Sequence, residues 1–190
     1  MKYILIILFI YTGLIANTLH LNTSSNPSRL NPLLSTDAGS SEIVGFIFNA
    51  LVKYDKEGKD IVGDLALSYE FKSETRLIFN LRPDVKWHDV DKFRAYDVFF
   101  TYDLIHSPKV VTPYSSNFRM VKSVKALDKF TLEVIYKKPY FKALETWMMQ
   151  IVPKHILEHE ENIMGSPFNK IPIGTGPYSW LFMLDRKSVV

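Results

Sequence analysis

Two stretches of alternating apolar and polar residues, one on each side of a short turn, constrain this fold more than any other feature. Apolar side chains occupy every second position before and after the turn, at Leu67, Tyr69, Phe71, Leu77, Phe79 and Leu81. A period of two places these side chains on one face of a strand, so the segment predicts a β-hairpin. A second hairpin is predicted around Asp128–Lys129, followed by the alternating Phe130, Leu132, Val134 and Tyr136.

Helical periodicity accounts for much of the remaining chain. Apolar residues three and four positions apart predict a helix at Ala95–His106, and another helix that Ser40 or Ser41 would cap. Pro139 and Pro153 are each expected to open a helix, since proline is tolerated in the first turn. The buried stripe expected after Pro139 comprises Phe141, Leu144, Trp147, Met148 and Ile151. Helices and hairpins mixed within 190 residues predict an α/β, or mixed α+β, fold.

The N-terminal residues have the pattern of a secretory signal peptide. Lys2 precedes an apolar run, Gly13 interrupts it, and Ala16 is a small residue suited to cleavage. We therefore expect residues 1–16 to be removed, and a short strand to follow at Thr18–Asn22. A membrane anchor is the alternative, but the apolar part is short for a crossing of about 20 residues. The chain has no cysteine to carry a lipid, so the pattern indicates a soluble periplasmic protein.

The net charge does not favour nucleic acid as a partner. The formal charge of the whole chain is +3, and Lys2 contributes one of these charges. Residues 185–190 continue no earlier pattern and are expected to be a non-native tail, which contributes a further net charge of one. The balance that remains is too small to attract a polyanion.

An acidic stretch and a short histidine motif are the two candidates for catalytic chemistry. Leu81–Ile105 contains five Asp and one His, but these acids are predicted to be scattered over a turn, a loop and a helix. His155–His159 matches the H-x-x-E-H zinc-protease signature, in which His155 and His159 would bind zinc and Glu158 would act as base. A zinc-dependent hydrolase is therefore the alternative from another functional class, although so short a motif has low specificity.

The segment Ile173–Tyr178, "IGTGPY", has the glycines of a phosphate-binding loop but lacks the Lys-Ser/Thr that would follow them. Its glycines are better explained by a tight crossing that leads into a strand. No serine stands in a nucleophile motif and the chain has no cysteine, so neither a catalytic residue nor a cofactor is assigned.

Seven stretches, in this order along the chain, resemble the extracellular solute-binding proteins of family 5, the oligopeptide- and dipeptide-binding proteins of ABC transporters. They are "RLNPLLSTDAGSSEIVGFIFNALVKYD", "GDLALSYEF", "LIFNLRPDVKWHD", "AYDVFFTYDLI", "SVKALDKFTLEVIYKKPY", "IVPKHIL" and "IPIGTGPY". The resemblance runs from about Thr18 to Leu184. Val90 stands where the family usually has glycine, and Arg94 stands where it usually has a capping Thr or Ser. Family members are also far longer than this chain.

The resemblance implies a Venus-flytrap fold of the periplasmic-binding-protein type II, truncated before a third lobe. Residues 17–46 would form the initial segment of the first lobe, and residues 47–168 an inserted second lobe with both hairpins. Residues 169–184 would return to the first lobe. Such a protein is not an enzyme, because it binds and releases its cargo unchanged.

The same resemblance implies a peptide-binding component of an ABC importer, which works as a monomer in the periplasm and delivers peptides to permease subunits in the inner membrane. A peptide would lie extended as an added strand, held through its main chain. Thr36, Asp37 and Ala38 fall where the first lobe meets the ligand backbone, and Tyr114 falls where a second-lobe tyrosine contacts it. Plain helix entry at Thr36–Ala38 and a surface aromatic at Tyr114 are the alternatives. A nickel chelate or haem is the alternative cargo.

Overall fold

The computed structural model describes residues 27–180. The predicted signal peptide at 1–16, the strand at Thr18–Asn22 and the tail at 185–190 lie outside the described residues. Within this part of the chain the elements are α1 (Ala38–Ile47), β1 (Val52–Tyr54), β2 (Ile61–Gly63), β3 (Ala66–Ser73), β4 (Arg76–Leu81), α2 (Ala95–His106), β5 (Val121–Ala126), β6 (Thr131–Tyr136) and α3 (Lys154–Leu157). Short 3₁₀ helices occupy Pro113–Phe118, Glu145–Met148, Ile163–Gly165 and Pro167–Asn169. None of these helices is long and apolar enough to cross a membrane.

An antiparallel sheet of four strands, in the order β3-β4-β6-β5, contains both predicted hairpins. In the two central strands Leu77 pairs with Val134 and Phe79 pairs with Leu132, and all four side chains are buried. The period-two pattern is therefore confirmed for the centre of the sheet. On the edge strand β3 the alternating apolar residues are not all buried, because 61% of Leu67 and 44% of Phe71 remain exposed.

Strand β3 is irregular along its length. Its pairing with β4 shifts register between Ala66 and Ser68 and again between Phe71 and Ser73, which marks bulges or similar irregularities near both ends of the edge strand. Lys72 forms an ion pair with Glu70 at 2.6 Å on the same strand.

The buried face of the sheet packs on Trp147. Its ring lies edge-on to Phe79 and Phe118, with centroid distances of 5.8 and 5.5 Å. The indole Nε1 donates to the Tyr136 hydroxyl at 2.9 Å, and that hydroxyl donates to the Ala143 carbonyl at 2.6 Å. Burial raises the pKa of Tyr136, so the phenol stays protonated and can donate this bond. The polar ends of Trp147 and Tyr136 are thus both satisfied within the core.

The prediction of a helix after Pro139 is wrong. Only the 3₁₀ helix Glu145–Met148 forms, and 88% of Phe141, the first member of the expected stripe, is exposed. The Trp147 carbonyl instead accepts a bond from the Leu51 backbone N–H at 3.2 Å, and the Ile151 N–H donates to Asn49 at 3.1 Å. Backbone bonds to a distant segment have replaced the local helical bonds.

Helix α2 has the predicted bounds, but its buried face differs in part from the predicted apolar stripe of Ala95, Val98, Phe99, Tyr102 and Ile105. Phe99 is 41% exposed, whereas Asp97, Thr101 and Leu104 are buried. The hydroxyl of Thr101 accepts a hydrogen bond from the Val152 N–H at 3.1 Å. The helix therefore uses polar side chains to hold the segment that leads into α3.

Asp97 is the centre of this polar contact. Its Oδ2 accepts the Arg94 backbone N–H at 2.8 Å, and its Oδ1 accepts the Lys154 backbone N–H at 3.0 Å. The first bond closes the start of α2 although Arg94 has no capping side chain of its own, and the second fixes the start of α3. Burial raises the pKa of Asp97, which these backbone N–H groups partly oppose by favouring the charged form.

The two glycines of "IGTGPY" form the tight crossing that the sequence predicts. The Gly176 N–H donates to the Ile47 carbonyl at 2.7 Å, and a Cβ added at Gly174 would lie 1.9 Å from the same oxygen. The ring of His88 binds both glycines, because its Nδ1 accepts the Gly174 N–H at 3.2 Å and its Nε2 lies 2.9 Å from the Gly176 carbonyl. The described residues after Gly176 form no strand, so the strand expected there is absent from this part of the chain.

Val90 occupies a left-handed backbone conformation that glycine adopts more readily than residues with a side chain. Its φ is 69°, and its side chain is 74% exposed. Its N–H donates to the Trp87 carbonyl at 2.9 Å, while the Trp87 N–H donates to the Asp91 carbonyl at 2.8 Å. These bonds define a three-residue hairpin loop that ends in a left-handed residue, a position that normally takes glycine. The backbone at Val90 is therefore strained.

Replacing Val90 with glycine should raise the free energy of unfolding. The left-handed conformation costs a residue with a Cβ about 1–2 kcal/mol, and the extra freedom of glycine in the unfolded chain returns about half of that. We expect a net gain of about 0.5–1 kcal/mol in urea denaturation. The control is Val111→Gly at an equally exposed position, which should not stabilise the protein. A loss of stability in both variants would contradict the strain.

Replacing Asp97 with alanine should lower the free energy of unfolding by about 2 kcal/mol, because two backbone N–H groups lose their acceptor. Asp103→Ala, at an exposed position of the same helix, is the matched control and should change stability by less than about 0.5 kcal/mol. Equal effects in urea denaturation would show that the bonds of Asp97 to Arg94 and Lys154 are not stabilising.

Candidate functional site

The residues assigned to ligand binding from the sequence lie close together. Thr36 and Ala38 are exposed, and Asp37 is half-buried between them. The hydroxyl of Tyr114 donates a hydrogen bond to the Ser35 carbonyl, although 79 positions separate the two residues. The structure thus brings Tyr114 beside the entry to α1. No observation tests whether these residues touch a ligand, so that role stays a prediction.

Local structure fixes the position of Tyr114. Thr112 caps the 3₁₀ helix Pro113–Phe118, with its Oγ1 accepting the Tyr114 N–H at 3.2 Å. Phe118, at the other end of this helix, is buried against Trp147. The tyrosine is therefore presented from a short element that is anchored in the core.

Asp37 caps α1, so the prediction of a serine cap is wrong. Its Oδ1 accepts the Ser40 backbone N–H at 2.8 Å, and its Oδ2 accepts the hydroxyls of Ser28 and Ser40, each at 2.6 Å. A carboxylate at the cap also meets the positive end of the helix dipole, which explains why it displaces a serine. The hydrogen bonds from Ser28 and Ser40 hold the pKa of Asp37 well below its usual range.

A cleft of about 250 Å³ lies against Tyr114. Besides Tyr114, its walls are formed by Pro32, Asn117, Glu145, Thr146, Met148, Met149 and Gln150. Sequence reasoning missed these residues, because it placed Met148 on the buried stripe of a helix that does not form. The Met-Met-Gln run after Trp147 was the available signal, because adaptable and polar side chains there follow directly on a large core residue.

A larger cleft, of about 300 Å³, surrounds His155 and includes Asp91, Asp97, Lys154 and Glu158 in its walls. His155 Nε2 lies 2.8 Å from Asp89 and its Nδ1 lies 3.5 Å from Asp91. The acids of this stretch are distributed over a turn, a loop and helix α2 as predicted, and the two acids of the loop, Asp89 and Asp91, both reach His155. They approach opposite ring nitrogens, so they do not converge on one ligand point.

The zinc-binding hypothesis finds no support in the geometry. Helix α3 ends at Leu157, so it does not carry the pair His155 and His159 on one face. The His159 side chain is 83% exposed, and Glu158 forms an ion pair with Lys154 that lowers its pKa. Among residues 27–180 no group of three His, Asp or Glu side chains could hold a metal ion. The smaller cleft is the candidate binding site, because Tyr114, which is predicted to contact the ligand, forms part of its wall.

Comparison with known proteins shows that this chain is similar to bacterial solute-binding proteins. Residues 60–181 match the family model described as bacterial extracellular solute-binding proteins, family 5 middle. A putative ABC transporter peptide-binding protein of Brucella ovis is 32% identical over 155 residues, which cover 79% of this chain and 29% of that protein. The oligopeptide-binding protein AppA of Bacillus subtilis is 33% identical over 168 residues, which cover 81% of this chain and 29% of AppA.

Two solved structures share the fold. NikZ of Campylobacter jejuni, in complex with Ni(L-His), superposes with a TM-score of 0.75 at 35% identity, covering 84% of this chain and 32% of NikZ. AppA of Bacillus subtilis, in complex with a nonapeptide, gives a TM-score of 0.73 at 28% identity, covering 84% of this chain and 33% of AppA. This chain spans about a third of the length of the proteins it matches.

Replacing Asp37 with asparagine should lower the thermal stability in a pH-dependent manner. Because the folded pKa of Asp37 lies below its unfolded value, its stabilising contribution is complete above about pH 4 and is lost as the pH falls further. The difference in Tm between wild type and variant should therefore be constant from pH 7 to 5 and shrink at lower pH. Glu42→Gln, at an exposed position of the same helix, is the control. A difference that persists unchanged at pH 3 would contradict this role.

Proposed function

Because the chain belongs to the bacterial extracellular solute-binding proteins of family 5, we propose that it is part of the substrate-binding component of an ABC importer, which captures peptides and delivers them to a permease. Proteins of this family bind cargo for transport outside the cytoplasm and are not enzymes. The predicted fold, a mixed α/β fold like that of type II periplasmic binding proteins, is confirmed by the structural neighbours.

The hydrogen bond between Tyr114 and the Ser35 carbonyl is the observation that carries this proposal. It places an aromatic side chain of the segment 47–168 beside the exposed Thr36 and Ala38. A peptide bound as an added strand needs exposed backbone on one side and a flat surface on the other. The cleft of about 250 Å³ continues from Tyr114 and offers space for a side chain of that peptide.

The proposed division into lobes is supported by contacts between distant segments. The Leu30 N–H donates to the Asn169 carbonyl at 2.7 Å, and the buried side chains of Asn31 and Asn169 are joined at 3.0 Å. Together with the bond from Gly176 to Ile47, these contacts join residues 169–176 to residues 27–47. One lobe built from residues 17–46 and 169–184, with residues 47–168 inserted, is consistent with this arrangement.

The cellular setting follows from the same proposal. The signal-peptide pattern of residues 1–16 would export the protein to the periplasm, where it would act as a monomer. Its partners would be peptides and the permease subunits of the inner membrane. The names of two relatives support peptides as the cargo, and one of these names also specifies an ABC transporter.

A nickel chelate is the second candidate cargo. The specific observation in its favour is the similarity to NikZ, which was crystallised with Ni(L-His) and shares 35% of its residues with this chain over the matched region. The metal would then be cargo that arrives with its own ligand, so the lack of a three-residue metal cluster among residues 27–180 does not oppose it.

Calorimetric titration would test the proposal. The relatives are about three times longer than this chain, so the protein to titrate is one extended by the sequence encoded downstream of Leu184. Peptides should bind measurably to the extended protein and weakly or not at all to the 190-residue chain. Tyr114→Ala should weaken binding about tenfold, the effect of losing one well-packed aromatic contact. Tyr54→Ala, which removes a half-exposed tyrosine outside the cleft, is the control.

The titration distinguishes the two candidates. Binding of Ni(L-His) without any binding of peptides would favour the second cargo. Binding of neither by the extended protein would contradict the proposed function.

A further inference from the structure

Glu145 stands out because it is the one charged residue among those that line the cleft at Tyr114. The other walls are apolar, as at Pro32, Met148 and Met149, or carry neutral amides, as at Asn117 and Gln150. A single carboxylate in a partly enclosed site attracts a cation and repels an anion, and the low-dielectric walls strengthen both effects.

Glu145 is held in place by its neighbours rather than by a partner for its charge. It is the first residue of the 3₁₀ helix Glu145–Met148, and Trp147 in the same turn is buried in the core. The hydroxyl of Thr146 donates to the Lys142 carbonyl at 3.0 Å, which fixes the start of the turn. The carboxylate is therefore carried on a backbone that the core holds rigidly.

The charge of Glu145 is only weakly neutralised within the protein. Lys142 Nζ lies 3.9 Å from Glu145 Oε2, at the limit of an ion pair, with 51% and 38% of the two side chains exposed. Such exposed pairs contribute little and separate easily. An incoming cation can therefore displace Lys142 at small cost.

The remaining walls suit the methylene groups that accompany a cationic nitrogen. Met148 and Met149 have flexible side chains that adapt to a flexible aliphatic chain, and Pro32 offers a rigid apolar surface. A cleft of about 250 Å³ is small for a whole ligand but has room for one long side chain.

We propose that Glu145 makes this cleft selective for peptides that present an ammonium or guanidinium group to it, and against peptides that present a carboxylate. This inference rests on the proposed function and names the chemical class of the cargo at the same site. Lysine and arginine side chains and the free amino terminus of a peptide all carry this group.

The test compares the affinities of Ala-Lys-Ala, Ala-Leu-Ala and Ala-Glu-Ala, each with a free and an acetylated amino terminus, for the protein extended beyond Leu184. We expect a cationic group to improve affinity about tenfold over the neutral peptide, and a preference that weakens with added salt. Glu145→Gln should abolish the preference while keeping the affinity for acetylated Ala-Leu-Ala. Glu161→Gln, at an exposed position outside the cleft, should keep the preference.

The acetylated peptides identify the source of the cation. A preference for Ala-Lys-Ala over Ala-Leu-Ala that survives acetylation assigns the cleft to the lysine side chain. A preference for free over acetylated Ala-Leu-Ala that Glu145→Gln removes assigns it to the amino terminus. Equal affinity for all charge types, or equal effects of Glu145→Gln and Glu161→Gln, would overturn the inference and leave peptide binding intact. No binding of any peptide by the unaltered protein would overturn the proposed function as well.

Discussion

The close backbone contact of Gly174 and Gly176 with the end of helix α1 is the constraint on which the rest of the arrangement depends. A Cβ at Gly174 would collide with the Ile47 carbonyl, so only glycine allows the late segment of the chain to reach the early one. His88 binds both glycines through its ring and thereby adds the loop after β4 to the same junction. This junction therefore positions the C-terminal end of helix α1, whose N-terminal end lies beside Tyr114.

Periodicity predicted the elements that pack through apolar faces, and it failed where polar groups decide the packing. The central strands and the bounds of α2 followed from residues such as Phe79 and Val98, because burial of one face dictates the spacing. The segment after Pro139 carries a helical stripe, but the Trp147 carbonyl bonds to Leu51 instead of to its own turn. A bond between distant segments leaves no trace in local spacing.

The candidate site was predictable only in part, for a related reason. Tyr114 and Thr36–Ala38 came from the resemblance, and the structure places them together through one hydrogen bond to Ser35. The cap of α1 was assigned to the wrong residue because Asp37, Ser40 and Ser41 are all good caps, and the additional bond from Ser28 decides between them. Glu145 carried no signal, since its position on the cleft wall depends on a 3₁₀ turn.

The irregular edge strand β3 has a consequence for a protein that is proposed to bind extended chains. A sheet margin with a regular row of unpaired amide groups would attract the same segments that the cleft is meant to hold, and would also recruit other copies of the protein. The register shifts near both ends of β3 and the charged Glu70 and Lys72 interrupt that row. The fold thus discourages stray strand addition at this edge of the sheet.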